Sequence, residues 1–404
     1  QFALMVNARA TGTGRVDMEA GVDAILADSI TGIAQGQPLR ILRNEPAVHP
    51  RSGKALTLVK YPISGGFVPL GALLPDGRPH PHAGTGFGLS TLLGFPAVFE
   101  GQRPARDPDT LRYHELLQFS FDGTAFKVTG MARFEDHEML AGWEIHNRPL
   151  TPAIASGEDL VAGLVAARPG EVHGTGLARW QRRDGAWQLA SYVPVTEQDT
   201  AIEPSVIRDQ DGALLFTNRG MGTERVATDH LARLNPELYF QVRVWRSTDE
   251  GSTWKQLMEL DQRRNSSPVS ICVTAGGQPF IGGNPRRNRS DRETGKAYHP
   301  TWVREHLAVW PLAADRRALA AEQIVLDMPA TNGEAPGGMT WYLDHPIAVP
   351  LRLADLRWHC LLFFRVCDIT EVVKKGLPVA QTGTWMAEIS VPGESPLPPW
   401  RFAE

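Results

Sequence analysis

Glu203 and Arg219 stand on either side of a tight-turn sequence. Ile202-Glu203-Pro204-Ser205-Val206-Ile207 runs into Asp211-Gly212 and on through Ala213-Leu214-Leu215-Phe216-Thr217-Asn218-Arg219. Two short strands joined by an Asp-Gly turn bring the first and last residues of such a segment to one end of a hairpin. A carboxylate beside a guanidinium fork there can handle a proton or an anion; the plainer alternative is a pair of surface charges flanking an ordinary hairpin. A second cluster, Arg78-Pro79-His80-Pro81-His82-Ala83-Gly84, holds two imidazoles between prolines and a Gly-rich turn. His80 and His82 are therefore candidates for general acid or base near neutral pH, or for capping a loop through backbone hydrogen bonds. As a metal pair they would need at least a third ligand, and nothing nearby in sequence completes one. Asn265 and Asn284 are candidate substrate-binding residues, and their oxygens are also the one place where the sequence suggests a structural Ca²⁺; no cofactor is required.

The elements that must position these groups are short strands. The chain carries 39 Gly, 31 Pro and 11 Trp, with 42% hydrophobic and 21% charged residues, and shows no long heptad or polar low-complexity run. Apolar runs broken by Gly-containing turns recur at Asp76-Gly77, Asp122-Gly123, Asp184-Gly185, Asp211-Gly212 and Gly276-Gly277. Each reads as a hairpin within a four-stranded sheet, and their irregular spacing suits propeller blades with variable loops better than a strict repeat. The expectation is an all-β, single-domain β-propeller of six or seven blades over residues 1–404, with an N-terminal extension over 1–35. The Ala-rich stretches Asp17 to Ile33 and Asp315 to Glu322 read as helical. Asn284 to Thr301 and Pro329 to Met339 read as insertions at one mouth of the central channel, where pocket walls are built.

Several classes fall away. The net charge of −4 with dispersed basic residues gives no footprint for nucleic acid. No stretch approaches the ~20 apolar residues of a membrane span. Cys272, Cys360 and Cys367 are too few for a disulfide framework and lack zinc-site spacing, so they read as buried thiols. No signal peptide is visible at Gln1-Phe2-Ala3-Leu4-Met5; a secreted or periplasmic location, with any leader already removed, remains the expectation.

The strongest local motif is Ser247-Thr248-Asp249-Glu250-Gly251-Ser252-Thr253-Trp254, which fits S-x-D-x-G-x-x-W throughout. The carboxylate satisfies turn amides, Gly supplies the unusual φ and the indole folds over the turn. With the degenerate Arg183-Asp184-Gly185-Ala186-Trp187, it makes the chain resemble the sialidase (Asp-box) propeller superfamily, which includes related glycoside hydrolases and polysaccharide lyases. The resemblance, over roughly residues 60 to 370, implies that Glu203 polarises a nucleophilic Tyr and that Arg219 binds a substrate carboxylate. It also matches Arg304, before Glu305-His306-Leu307-Ala308-Val309-Trp310, to a second carboxylate-binding Arg, and Tyr342, in Trp341-Tyr342-Leu343-Asp344-His345-Pro346, to the nucleophile; His345 joins the substrate-binding set. Two family features are missing: Phe67-Val68-Pro69 stands where an Arg-Ile-Pro is expected, and no general-acid Asp follows. The function implied is a sialidase-like glycoside hydrolase on an acidic oligo- or polysaccharide. The alternatives are a propeller lyase on a uronate-containing glycan, with His and Tyr exchanging protons, and a non-catalytic propeller that binds glycan or protein.

Overall fold

The computed structural model describes residues 2–7, 22–37, 39–42, 45–50, 52–68, 72–74, 76–96, 112–121, 126–135, 138–146, 151, 153–197, 201–219, 242–260, 269–284, 306–327, 341–355, 357–368, 382–390 and 401–402. Among the described residues the chain is β-structured apart from one short helix and forms a propeller of five blades. Five antiparallel sheets follow one another in sequence order. The first comprises Glu45–Val48, Ala55–Val68, Thr85–Pro96, Arg112–Phe121 and Phe126–Glu135. The second runs from Glu138–Leu140 through Trp143–His146, Asp159–Ala167 and Gly174–Arg183 to Ala186–Pro194, with Ile154–Ser156 paired beside it. The third contains Ile202–Arg208, Leu214–Arg219, Val242–Ser247 and Lys255–Leu260, and the fourth Ser270–Val273, Pro279–Gly283, His306–Pro311 and Gln323–Asp327. The fifth holds Trp341–Arg352, Trp358–Asp368 and Thr382–Glu388.

Five blades replace the expected six or seven. The first two sheets take five and six strands instead of four, so the strands of this chain make fewer blades than four apiece would give. The Ala-rich Asp17 to Ile33 stretch is also not one helix: Val22–Ala27 is a strand between Phe2–Asn7 and Leu39–Leu42, and only Ile30–Gln35 is helical, capped by Ser29. Pairing with Phe2–Asn7 overrides the propensity of Ala. Asp315 to Glu322 is a turn region closed by a bridge between Leu312 and Leu319. Arg401–Phe402, close to the end of the sequence, pairs back with Ala72–Leu73.

Apolar layers between successive sheets form the core. Phe87, Leu89 and Leu116 meet Trp180 and Trp187 between the first and second blades. Val161 and Leu177 meet Val206, Phe216 and Trp245 between the second and third. Ile207 and Leu215 meet Ile271 and Trp310, and Cys272 and Phe280 meet Leu343 and Phe364. Asp159–Ala167, covered on both faces, is buried from Leu160 onward, which is why it reads as an unbroken apolar run. Cys272 and Cys360 are buried, and burial pushes the Cys272 thiol up to about 11.

The local turns follow their chemistry. Asp184 and Gly185 both take positive φ, 51° and 80°, at the tip of the hairpin between Gly174–Arg183 and Ala186–Pro194. In the Ser247 to Trp254 turn, Asp249 accepts from Ser247 Oγ (2.7 Å), Thr253 N (2.9 Å) and Thr253 Oγ1 (2.6 Å). Trp254 Nε1 donates to Gly251 O at 3.1 Å, folding the indole back onto the turn.

Candidate functional site at the start of the inner strands

The third blade begins with a break in its ladder. Ile202 pairs with Arg219, but the register slips before Ser205, and in the slip Glu203 is driven to φ 52°. Pro204 has no N–H to give the ladder, which makes a bulge the natural solution. Positive φ on a non-glycine residue is strained, of order 1–3 kcal/mol, and persists only where its surroundings hold it. The hairpin brings Glu203 and Arg219 into an ion pair, Nη1 to Oε2 3.1 Å, with both side chains mostly buried. Arg219 Nε is buried and finds no acceptor among the described residues, so the protein leaves part of the guanidinium fork unused.

The fifth blade repeats this construction. Between Asp344 and Ile347 the register slips again, Pro346 removes a donor and His345 stands at φ 53°. Asp344 is fully buried and held by a two-pronged pair with Arg365, Nε to Oδ1 and Nη2 to Oδ2 both 2.7 Å. His345 Nδ1 lies 2.9 Å from Asp344 Oδ1, while the ring is 38% exposed. A carboxylate ionised by Arg365 can only accept, so the proton sits on Nδ1 and a basic Nε2 is left for whatever approaches.

Two further devices fix these residues and set them at one level. Pro204 lies against Gly163 of the second blade, where a Cβ would come within 2.7 Å of Pro204 Cβ; Pro346 lies against Gly282 of the fourth, at 3.1 Å from its Cγ. Hydroxyls staple the neighbouring inner strands together. Val206 N donates to Thr151 Oγ1 (2.9 Å), which donates to Val206 O (3.3 Å). Ile271 N donates to Ser205 Oγ (2.9 Å), which donates to Ile271 O (3.2 Å), and Ser270 Oγ donates to Pro346 O. This lateral chain runs from Ser205, two residues after Glu203, to Pro346, next to His345. Glu203, near the start of Ile202–Arg208, and His345, within the first half of Trp341–Arg352, therefore lie at the same end of the channel.

The remaining candidates are distributed differently. Asn284 is fully buried, its Nδ2 donating to His306 O (2.6 Å) and Leu343 O (2.7 Å). It ties the fourth blade to the fifth, and at zero exposure it does not meet a substrate as the sequence reading expected. Tyr342 pairs with Cys367 two residues before Asp344, but its side chain lies outside the described residues, as do Arg304, Asn265 and almost all of both expected insertions. Among the described residues no three His, Cys, Asp or Glu side chains gather as a metal site.

His80 and His82 are not brought to Glu203. His82 Nε2 bonds Glu158 O at 2.9 Å, and the ring packs on Phe87 and Trp187 with centroids 5.2 and 5.4 Å away. Glu158 lies in the turn before Asp159–Ala167. Beside it Ser156 donates to Glu250, which also pairs with Arg208 at the far end of Ile202–Arg208. The histidines thus sit at the end of the blades carrying the Asp184-Gly185 and Asp249 turns, opposite Glu203. His80 Nδ1 accepts from His82 N at 3.1 Å, and burial lowers the pKa of both rings. Flanking prolines and glycines made them look poised for catalysis; packing against Trp187, about a hundred residues on, makes them part of the core.

Asp344 and Arg365 were missed in sequence, although a signal exists. Glu203-Pro204 followed by Arg219, and Asp344-His345-Pro346 followed by Arg365, share a carboxylate just before a proline and an arginine closing the next strand, 16 and 21 residues on.

The five sheets seen among the described residues define the class as a β-propeller. No protein-family model matches the chain, and no curated protein matches it. Among solved structures, a Hadza microbial sialidase aligns with TM-score 0.50 and 12% identity, over 96% of this chain and 63% of that one. A GH43_1 enzyme from Xanthomonas citri aligns with TM-score 0.43 and 13% identity, over 88% and 96%. At 12% identity the likeness to the sialidase is one of fold alone. No helix among the described residues is long and apolar enough to cross a membrane.

Proposed function

We propose that this chain is a sialidase-like glycoside hydrolase, secreted or periplasmic, that acts on a carboxylate-bearing glycan at the mouth marked by Glu203 and His345. The observation that carries this reading is the pair of strained residues at one end of the channel, each ahead of a proline and each tied to an arginine–carboxylate pair. Strain maintained twice by close packing is characteristic of residues held for a task. The exposed part of the Arg219 guanidinium receives the substrate carboxylate. Glu203 takes the phenolic proton of Tyr342, whose oxygen attacks the anomeric carbon. The glycosidic C–O bond breaks toward the leaving oxygen, which is protonated, and water then releases the sugar from the phenolate. With no family-type general-acid Asp, His345 Nε2 is the group that passes a proton to the leaving oxygen and takes one back from the attacking water, while Glu203 returns its proton to the departing Tyr342 phenolate.

The Asp344–His345 pair favours β-elimination as a second reading. A neutral imidazole backed by a buried carboxylate is a competent base for the proton α to a uronate carboxylate that Arg219 neutralises. The test is a panel of sialylated and uronate-containing glycans assayed for product release. Free sugar without ultraviolet absorbance supports hydrolysis, and a conjugated unsaturated uronate supports elimination. A glycan that binds but never shortens removes both in favour of a binding protein. Arg219→Lys is expected to weaken binding about 30- to 150-fold, whereas Glu203→Gln lowers turnover far more than affinity; two variants indistinguishable from wild type would refute the assignment.

A further inference from the structure

The opposite end of the third and fourth blades holds a cleft of about 480 Å³ whose lining includes Asp209, Asp211, Arg246, Trp254, Lys255 and Arg317. It is remote from the Glu203 mouth, because Asp209 to Ala213 and Ser247 to Trp254 form the hairpin turns at the other ends of strands that begin or close beside Glu203 and Arg219. Its floor is rigid. Arg316, from the segment after the fourth blade's third strand, grips the buried Asp209 of the third blade with Nε to Oδ2 and Nη2 to Oδ1 both 2.9 Å.

The charges in this cleft are unequally used. Asp209 is saturated by Arg316 and by Gln210 N (2.8 Å). Asp211 is paired with Arg246 and with Ala213 N (3.1 Å), and Asp315 accepts from Arg317 N (2.9 Å). All three carboxylates thus have local partners. The side chains of Lys255 and Arg317 have none among the described residues. Beside them, Trp254 packs against Phe216 with ring centroids 5.5 Å apart, and the rest of its half-buried indole lines the cleft. An indole wall beside two uncommitted cations, over a floor whose own anions are neutralised, suits a flat, hydroxylated ring bearing a negative group. The volume is that of a small-ligand site.

We infer that this turn-face cleft is a second, non-catalytic binding site for an anionic oligosaccharide, with a sugar ring against Trp254 and its carboxylate or sulfate held by Lys255 and Arg317. Such a site would hold a polymer while the channel mouth works on another part of it, but its existence does not depend on what the mouth does.

The experiment removes the mouth first. Arg219→Ala, with and without the pair Lys255→Ala and Arg317→Ala, is titrated calorimetrically with oligogalacturonate, a sulfated galactan oligosaccharide and a neutral xylo-oligosaccharide. The expected result is that Arg219→Ala still binds an anionic probe, that the added pair weakens it at least about tenfold at unchanged Tm, and that the neutral probe binds weakly throughout. Whichever anionic arm binds more tightly identifies carboxylate or sulfate as the group recognised. If Arg219→Ala does not fold, the same pair in the wild-type background should lower the number of bound oligosaccharides by one. Equal binding with and without Lys255 and Arg317, or no anionic probe bound in the wild-type chain, would overturn the inference.

Discussion

Replacing Gly163 by Ala tests whether the strained start of the third blade is held by close packing. The new Cβ would stand 2.7 Å from Pro204 Cβ, 3.0 Å from its Cγ and 3.3 Å from Phe216 Cε2. Carbon atoms prefer about 3.5–4.0 Å, so the rigid proline ring must retreat by roughly 0.8 Å and carry Glu203 with it. Overpacking of this kind costs about 1–3 kcal/mol, offset by the ~0.4–1 kcal/mol that Ala contributes by restricting the unfolded chain. The net expectation is a loss of about 1–2 kcal/mol. Gly282→Ala supplies the comparison: its Cβ would meet Pro346 at 3.1 and 3.2 Å, a conflict of only a few tenths of an ångström, and should be close to neutral. Urea titrations of both variants, with the slope checked for constancy, read the difference directly. Gly163→Ala as stable as wild type, or Gly282→Ala the more damaging of the two, would refute the view that glycine–proline contact holds these bulges.

Other consequences can be measured on the same preparations. Trp254→Ala should destabilise by about 2–3 kcal/mol, below the 3–5 of a fully buried ring, because the indole is only half covered; thermal unfolding checks it. Burial lowers the His80 and His82 pKa values below 6.5, so the unfolded chain binds more protons just below that pH. Stability should therefore fall as pH drops from about 6.5 through the folded values, and His82→Gln should flatten that slope in chemical denaturation at pH 7 and pH 5. The bidentate hydrogen bonds of Arg208, aided by Ser156, hold Glu250 at about 2 against its ordinary 4.5. That contribution is complete above pH 4.5 and disappears as pH falls through about 2; it is reduced by the side chain's 52% exposure. Glu250→Gln should show a shallower acid transition by circular dichroism.

What could be read before folding was what is written locally. The Asp249 turn and the Asp184-Gly185 hairpin follow from residues within eight positions of one another, and both form as their chemistry dictates. Glu203 and Arg219 were legible as neighbours because one tight turn separates their strands. Blade number was not, since it depends on how many strands each sheet recruits before the next inner strand packs against it. The same limit explains the histidines: two imidazoles beside glycine and proline look poised until Trp187 and Glu158 arrive from another blade.

The Asp344–His345–Arg365 group shows a different failure, because its parts were visible and only their relation was not. Asp344 cannot be buried as a lone carboxylate, which would neutralise itself or unfold its surroundings. Its burial requires Arg365 on the adjoining strand, and the pairing of Asp344 with Arg365 across the sheet supplies it. Once that pair exists, His345 has a fixed acceptor for Nδ1 and Pro346 a fixed ring position, so the backbone between them has little choice but the strained φ it shows. The third blade reaches the same conformation with a glutamate directly before its proline and a partner arginine one hairpin away. Two sequences that differ in spacing and residue type arrive at one geometry because the same three constraints act on each: a proline that cannot join the ladder, a glycine across the blade interface and an arginine that must be neutralised.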